Sequence, residues 1–152
     1  MTDPPRIRRA GPDEAEALTA LARRAKAHWP YSHALLATFA AEIALTPLDI
    51  ERDEVWVLDA DRPVGFHRVV AGEPAILEDL WVDPVVIGRG HGRALWSHAV
   101  AVACATGARA LELDADPHAI GFYERMGAIR IGDTPSAVVP GRMLPRMRID
   151  LE

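Results

Sequence analysis

The chain has 152 residues, of which 49% are hydrophobic and 26% charged, and its formal charge at pH 7 is −5. This length and this mixture of charges predict one globular domain, residues 1–152. The negative charge argues against nucleic acid as a partner, because proteins that bind it usually carry a clustered basic face. Residues 1–6 are polar and no apolar run is long enough to cross a bilayer, which indicates a cytoplasmic protein without a membrane partner.

The first part of the chain predicts one short strand and two helices. Residues 6–8 alternate as a strand does, and residues 18–25 then carry apolar side chains at helical spacing. Pro30 interrupts this pattern, and Ser32 is placed to begin a second helix. We expect the second helix to end at Pro47 and the charged run that follows it.

Three β-strands at residues 55–58, 64–70 and 76–82 follow, and their short connections predict antiparallel pairing. Along the third strand, side chains are expected to alternate between the two faces of the sheet. One face is predicted to carry Ile76, Glu78, Leu80 and Val82, and the other Leu77, Asp79 and Trp81.

The third strand runs into a loop with three alternating glycines, Gly88, Gly90 and Gly92, which opens a long alanine-rich helix. Glycines let a ligand approach the backbone, and the first N–H groups of a helix point at an anion. This junction predicts a site for a phosphate or pyrophosphate. A dinucleotide-binding fingerprint fits less well, because Arg93 stands at the third glycine position and the preceding strands are antiparallel.

The remaining chain predicts a strand at residues 108–114, parallel to the third strand and joined to it by a right-handed crossover. Asp116 and Pro117 are suited to open another helix. A strand at residues 129–131, a loop at 135–145 and a closing strand at 147–151 complete the chain. The histidines show no metal-ligand spacing, so no metal is predicted.

The glycine loop resembles the pyrophosphate-binding signature of the GNAT superfamily of acyl-CoA-dependent N-acetyltransferases. Residues 82–84 match its Val-x-Pro turn, and Gly90 and Gly92 match its two small-residue positions. Ile87 departs from it, because it stands where the superfamily has Arg or Gln.

A second stretch, residues 116–128, is similar to the superfamily's Asn-x-x-Ala-x-x-x-Tyr-Glu-x-x-Gly-Phe. Here Asp116 replaces the usual Asn and Ala128 the usual Phe. The glycine loop alone is a weak signal, whereas the two signatures in this order are specific, and the resemblance covers about the whole chain.

The resemblance implies the superfamily's fold, of the α/β (α+β) class. Its central sheet is mixed, mostly antiparallel and of about seven strands, with helices on both faces and a splayed parallel strand pair in the middle. It also implies an enzyme that transfers an acetyl group from acetyl-CoA, its co-substrate, to a primary amine of a small molecule by direct attack through a tetrahedral intermediate.

Two further expectations follow from the resemblance. The alternative function is a CoA-binding or regulatory module of the same fold that has lost catalysis, since Ile76, Ile87 and Asp116 depart from the commoner pattern. A homodimer is expected through the C-terminal strands, at residues 147–149.

The resemblance also implies site residues. Those expected to bind CoA are Trp81, Val82, Gly88, Arg89, Gly90, His91, Gly92, Arg93, Asp116, Ala119, Phe122 and Tyr123. Tyr123 falls on the tyrosine that acts as general acid in many members, the alternative being a core tyrosine.

On the acceptor side, Glu78 resembles the glutamate that meets the substrate amine in aminoglycoside 6'-acetyltransferases, and it is predicted as the base. The alternatives are a strand-edge salt bridge for Glu78 and a role for Asp79 in its place. His28, Trp29 and Tyr31 are predicted to border the acceptor, unless they only pack the helix corner.

Overall fold

The computed structural model describes residues 4–152, which form one mixed sheet of seven strands and five α-helices. The prediction of a cytoplasmic protein rests partly on residues 1–3, which lie outside the described residues. No helix within residues 4–152 is long and apolar enough to cross a membrane.

The strands are β1 (Arg6–Arg9), β2 (Glu54–Asp59), β3 (Pro63–Val70), β4 (Ala75–Val82), β5 (Ala110–Asp114), β6 (Ile129–Pro135) and β7 (Met143–Asp150). The helices are α1 (Ala15–Ala27), α2 (His33–Glu42), α3 (Pro47–Arg52), α4 (His91–Ala105) and α5 (Ile120–Arg125).

The strands lie in the order β1-β2-β3-β4-β5-β7-β6, and β4–β5 is the parallel pair among antiparallel neighbours. One core packs α1 and α3 against β2 and β3, with Leu18, Ile50 and Val57 among its members. Another packs α4 and α5 against β4, β5 and β7, around Trp96 and Leu111. The predicted mixed sheet with helices on both faces is confirmed.

The parallel pair is splayed, as predicted. Its two registered positions are Ala75 with Leu111 and Ile76 with Glu112. Beyond them β4 continues to pair with β3, up to Val82. The backbone of β4 on its β5 side is therefore left open in the middle of the sheet.

A β-bulge in β4 makes the predicted alternation of its side chains wrong. Val69 pairs with Leu77 and Arg68 with Asp79, so Glu78 is an extra residue on the bulged strand. Leu77 consequently packs in the same core as Leu80, under α4, although they were predicted on opposite faces. Trp81 packs against the core under α1.

The helix α3 was missed, because Pro47 was interpreted as a terminator. Thr46 Oγ1 accepts a hydrogen bond from Asp49 N–H at 3.1 Å, and Asp49 Oδ2 accepts one from Thr46 N–H at 3.0 Å. This capping box, with proline at the first helical position, begins a helix.

The predicted dimer contact through residues 147–149 is wrong for Met147, which is fully buried. The reason is that β7 starts earlier than predicted and lies between β5 and β6, so Met147 packs in the core. Dimerisation itself stays a prediction.

A buried histidine on β3 contacts a half-buried histidine on α4. His67 on β3 is fully buried, and its Nε2 lies 2.9 Å from Nδ1 of His98 on α4. Its Nδ1 has no hydrogen-bond partner within residues 4–152. Burial, and then the nearby His98, lower the pKa of His67 to about 3. The ring is therefore neutral in the folded protein, whereas the unfolded chain takes up a proton there near pH 6.5.

We expect the free energy of unfolding to fall as the pH drops from about 6.5 to about 3, because the unfolded chain then binds a proton at His67 that the folded chain does not. In His67→Phe the slope of this free energy against pH should become shallower by up to about 1.4 kcal/mol per pH unit. Urea denaturation at a series of pH values measures it, with His33→Phe, at an exposed histidine, as control. An unchanged slope in His67→Phe contradicts the prediction.

Candidate active site

A cleft of about 980 Å³ opens where β4 and β5 separate. Its walls come from α1, α2, β3, β4, the glycine loop, the residues around α5 and the β6–β7 hairpin. Of the predicted site residues, Arg89 and Tyr31 do not line it. Those that do are His28, Trp29, Glu78, Trp81, Val82, Gly88, Gly90, His91, Gly92, Arg93, Asp116, Ala119, Phe122 and Tyr123.

The glycine loop forms a cradle of backbone N–H groups at one end of the cleft. Gly88 and Gly90 have φ values of 87° and 80°, in the left-handed region that glycine adopts without a steric penalty. Gly90 caps α4, and the first backbone bond into the helix is from Ala94 N–H to the Gly90 carbonyl. The N–H groups of residues 88–93 make no backbone hydrogen bond within the described chain. They are free to bind an anion.

Gly92 and Phe122 bring the two predicted signatures together. A Cβ atom on Gly92 would lie 3.3 Å from the Phe122 ring, tighter than an ordinary van der Waals contact, so a larger residue there would displace the ring by a few tenths of an ångström. Phe122 packs edge-on against Tyr123, with ring centroids 5.1 Å apart, and Tyr123 packs in the same manner against Trp96 at 5.6 Å.

The side chains that surround the cradle are basic at three positions and apolar at Ile87. His91 and Arg93 line the cleft, and so does Arg125 of α5, which the sequence analysis missed. Ile87 also lines it, with 52% of its surface exposed. A large apolar side chain so exposed contributes little to the core, and it offers a phosphate no hydrogen bond.

The two carboxylates of β4 both line the cleft and differ in burial. Glu78 is exposed, whereas the Asp79 side chain is 20% exposed. Trp81 Nε1–H donates to Asp79 Oδ1 at 3.0 Å, and Arg68 Nη1 lies 3.7 Å from Asp79 Oδ2. Burial raises the pKa of Asp79, and the hydrogen bond from Trp81 and the charge of Arg68 only partly oppose it. Asp79 therefore holds a proton more readily than an ordinary carboxylate.

Tyr123 is buried, at 7% exposure, and lines the cleft. Burial first, and then the charges of Asp116 and Asp79, raise the pKa of its phenol. The phenol is therefore protonated at neutral pH, and both carboxylates lie within electrostatic reach of it.

Asp116 is the centre of a polar cluster that links distant parts of the chain. Its Oδ2 accepts hydrogen bonds from Lys26 Nζ and from Tyr31 Oη–H, the latter at 2.7 Å. Its Oδ1 accepts one from His118 N–H at 2.8 Å. Arg142 Nη2 donates to Tyr31 Oη at 2.8 Å. This Asp116 cluster joins α1, the start of α2, the β5–α5 connection and the β6–β7 hairpin.

The predicted aromatic residues of the α1–α2 corner contact this cluster. Trp29 stacks on His118 with ring centroids 5.4 Å apart, and Tyr31 meets the Phe39 ring edge-on at 4.9 Å. The Tyr31 hydroxyl is engaged by Asp116 and Arg142. His28 is exposed at the rim.

A splayed strand pair beside a backbone cradle for phosphate is the arrangement expected of an acyl-CoA-dependent transferase. The family model of the acetyltransferase (GNAT) family matches residues 16–128. Peptidyl-lysine N-acetyltransferase YjaB of Salmonella typhimurium is 34% identical over 125 residues, 80% of this chain and 81% of that protein. The chain therefore belongs to the GNAT family and is an acetyl-CoA-dependent N-acetyltransferase.

Two solved structures share the fold. A GCN5-related N-acetyltransferase from Rhodopseudomonas palustris has a TM-score of 0.83 at 21% identity, covering 99% of this chain and 98% of that one. The PaiA N-acetyltransferase from Thermoplasma acidophilum, solved in complex with coenzyme A, has a TM-score of 0.77 at 18% identity, covering 97% and 99%.

We expect Ile87→Arg to tighten acetyl-CoA binding about 3- to 10-fold, because it restores a cation beside the phosphate cradle. Isothermal titration calorimetry measures the affinity. Val85→Arg adds the same charge two residues away, at a position that is 69% exposed and does not line the cleft. Equal tightening by both variants contradicts a local contact.

Proposed function

We propose that this enzyme acetylates a primary amine of a small molecule by direct attack on acetyl-CoA, with Tyr123 as the acid and a carboxylate of β4 as the base. The observation that carries this proposal is that one cleft is lined by the glycine loop, Tyr123 and the two carboxylates of β4. The Salmonella relative is named a peptidyl-lysine N-acetyltransferase, and a lysine side chain is also a primary amine.

The residues of the cleft fit the two polar parts of acetyl-CoA. The N–H groups of residues 88–93 would hold the diphosphate, with Arg93 and Arg89 contributing charge. The open backbone edge of β4 near Trp81 and Val82 would pair with the amide groups of the pantetheine arm, as a peptide adds to a sheet edge. Ala119 and Phe122 would flank the arm. Acetyl-CoA supplies the activated acetyl group as a thioester.

Tyr123 is proposed to donate a hydrogen bond to the sulfur as it leaves. Its raised pKa keeps the phenol protonated at neutral pH. The same shift makes full proton transfer to a thiolate of pKa about 8.5 unfavourable, so stabilisation of the developing charge by position is the main contribution.

Between the two carboxylates, burial favours Asp79 as the base. A general base is most effective when its pKa is near the working pH, and the pKa of Asp79 is raised towards it. Glu78, the residue predicted from the sequence, is exposed and is proposed to attract the cationic amine towards the cleft.

We expect Tyr123→Phe to lower kcat at least about 10-fold and to leave the affinity for acetyl-CoA nearly unchanged, because the ring and its packing are kept. Steady-state kinetics and calorimetry measure the two quantities. An unaffected kcat in Tyr123→Phe rules out the acid role.

We expect kcat/KM to fall as the pH drops through the raised pKa of Asp79, because the protonated carboxyl cannot accept the amine proton. Asp79→Asn should remove this acidic limb and lower kcat/KM by about 100-fold, whereas Glu78→Gln should keep the limb. The pH profiles of the two variants decide between the carboxylates. Loss of the limb in Glu78→Gln, and its retention in Asp79→Asn, would assign the base to Glu78.

The proposed function as a whole is tested by release of free thiol from acetyl-CoA over a panel of amines, polyamines, amino acids and aminoglycosides. A measurable rate with small amines supports it. Binding of acetyl-CoA without thiol release from any amine favours the non-catalytic CoA-binding module. Release with lysine-containing peptides alone would make the acceptor a protein.

A further inference from the structure

We infer that the acceptor carries a carboxylate beside its amine, and that Arg142 binds this carboxylate in the cleft. The inference rests on the proposed function and adds the chemical class of the acceptor. It makes Arg142 a residue that determines specificity, on a segment outside both signatures of the family.

Arg142 is held in place before any ligand binds. Its carbonyl accepts a hydrogen bond from Ser136 N–H at 2.7 Å, and its N–H donates to the Val139 carbonyl at 3.1 Å, which fixes it in the β6–β7 hairpin. Its guanidinium carbon lies 4.8 Å from the centroid of the Phe39 ring and 5.4 Å from that of Tyr31. Packing on these rings orients the guanidinium, so little side-chain entropy is lost on binding.

Most of the hydrogen-bonding capacity of Arg142 is unused within residues 4–152. A guanidinium has five N–H donors, and the side-chain bond made here is the one from Nη2 to Tyr31 Oη. The nearby Asp116 oxygen lies 3.8 Å from Nη2, beyond hydrogen-bond distance. Arg142 lines the cleft with only 17% of its side chain exposed. Its remaining N–H groups form the planar fork that binds a carboxylate in a bidentate manner.

The Asp116 cluster carries one more positive charge than negative charge, which favours the binding of an anion. Lys26 and Arg142 each carry one positive charge, and Asp116 carries one negative charge that already accepts three hydrogen bonds. The side chains of Lys26 and Asp116 are each 11% exposed, so solvent screens the excess positive charge poorly. A carboxylate from the acceptor would balance it.

The other arginine on the acceptor side of the cleft is already neutralised. Arg68 Nε donates to Asp53 Oδ2 at 2.9 Å, and its Nη atoms lie near Asp49 and Asp79. The cleft therefore offers carboxylates on β4 to an amine, and on the β6–β7 hairpin it offers an anion a guanidinium that shares Asp116 with Lys26 and makes one side-chain hydrogen bond. An amino-acid-like acceptor carries both groups.

The test compares amino acids and diamino acids with their own carboxamides as acceptors in the thiol-release assay. Each pair keeps the carbon skeleton and replaces the carboxylate by a neutral amide. Because this replacement also lowers the pKa of the neighbouring amine, kcat/KM is expressed per neutral amine before the two members are compared. We expect kcat/KM for the carboxylate member to exceed that for the carboxamide by at least about 10-fold. In Arg142→Gln the ratio should approach one, chiefly through a higher KM for the carboxylate member. Arg142→Lys should give an intermediate ratio, because it keeps the charge and loses the fork.

Two further variants separate binding from folding. Arg148→Gln is the matched control, because Arg148 lies on β7 outside the cleft and pairs with Glu112 at 2.8 Å and Asp150 at 2.9 Å. It should leave the ratio unchanged. Tyr31→Phe keeps the ring under Arg142 and removes the hydroxyl that orients the guanidinium. The ratio of kcat/KM for carboxylate over carboxamide should therefore fall but stay above one. Thermal unfolding confirms that each variant is folded.

The outcomes distinguish this inference from the function on which it rests. Equal kcat/KM for both members of the pairs, or a preference that survives in Arg142→Gln, overturns the carboxylate site and leaves the transferase intact. If no amine of either set releases thiol, the proposed function fails and the carboxylate site fails with it.

Discussion

β4 separates from β5 after a short stretch of pairing, and the groups proposed for acetyl transfer line the opening that results. Pairing ends at Ile76 and Glu112, and two residues later Glu78 is the extra residue of the bulge. A bulge bends its strand and increases the local twist, which turns β4 away from β5. An unpaired backbone edge inside a sheet is costly unless something pairs with it. The pantetheine arm proposed for the cleft would supply that pairing, so the gap that weakens the sheet would also form the binding site.

Different elements supply the walls of the cleft, and each element contributes a different kind of chemical group. The proposed cradle at α4 uses backbone N–H groups, and it would therefore tolerate Ile87 where the superfamily has Arg or Gln. The carboxylates come from β4, at the bulge, where Glu78 and Asp79 both reach the cleft. The cations of the Asp116 cluster come from α1 and the β6–β7 hairpin. If Arg142 binds the acceptor as proposed, side chains on those two elements would set the choice of acceptor separately from the cradle.

Much of the fold could be predicted because its signals are local. Each signature lies in one contiguous stretch, and the resemblance to the superfamily could therefore match Gly90, Gly92 and Tyr123 to signature positions. The bulge could not be predicted, because alternation within β4 says nothing about its register with β3. The signal for α3 was present in Thr46 and Asp49, but Pro47 was taken for a helix end. The Asp116 cluster joins Lys26 to a residue 90 positions away and Tyr31 to one 111 positions away, and one sequence does not reveal such contacts.

Asp116 departs from the superfamily's usual asparagine, and its surroundings give the physical reason. Burial alone would raise the pKa of Asp116, but hydrogen bonds from Lys26, from His118 N–H and from Tyr31 outweigh it and hold this pKa below its usual range. A neutral amide at this position would leave Lys26 and Arg142 without a counter-charge in a poorly solvated cluster, and an uncompensated buried charge costs about 3–5 kcal/mol. Asp116 also caps the turn that leads into α5, the helix of Tyr123. The carboxylate thus links Lys26 and Arg142 to the position of Tyr123, the proposed acid, so Lys26 and Asp116 are expected to be retained or lost together.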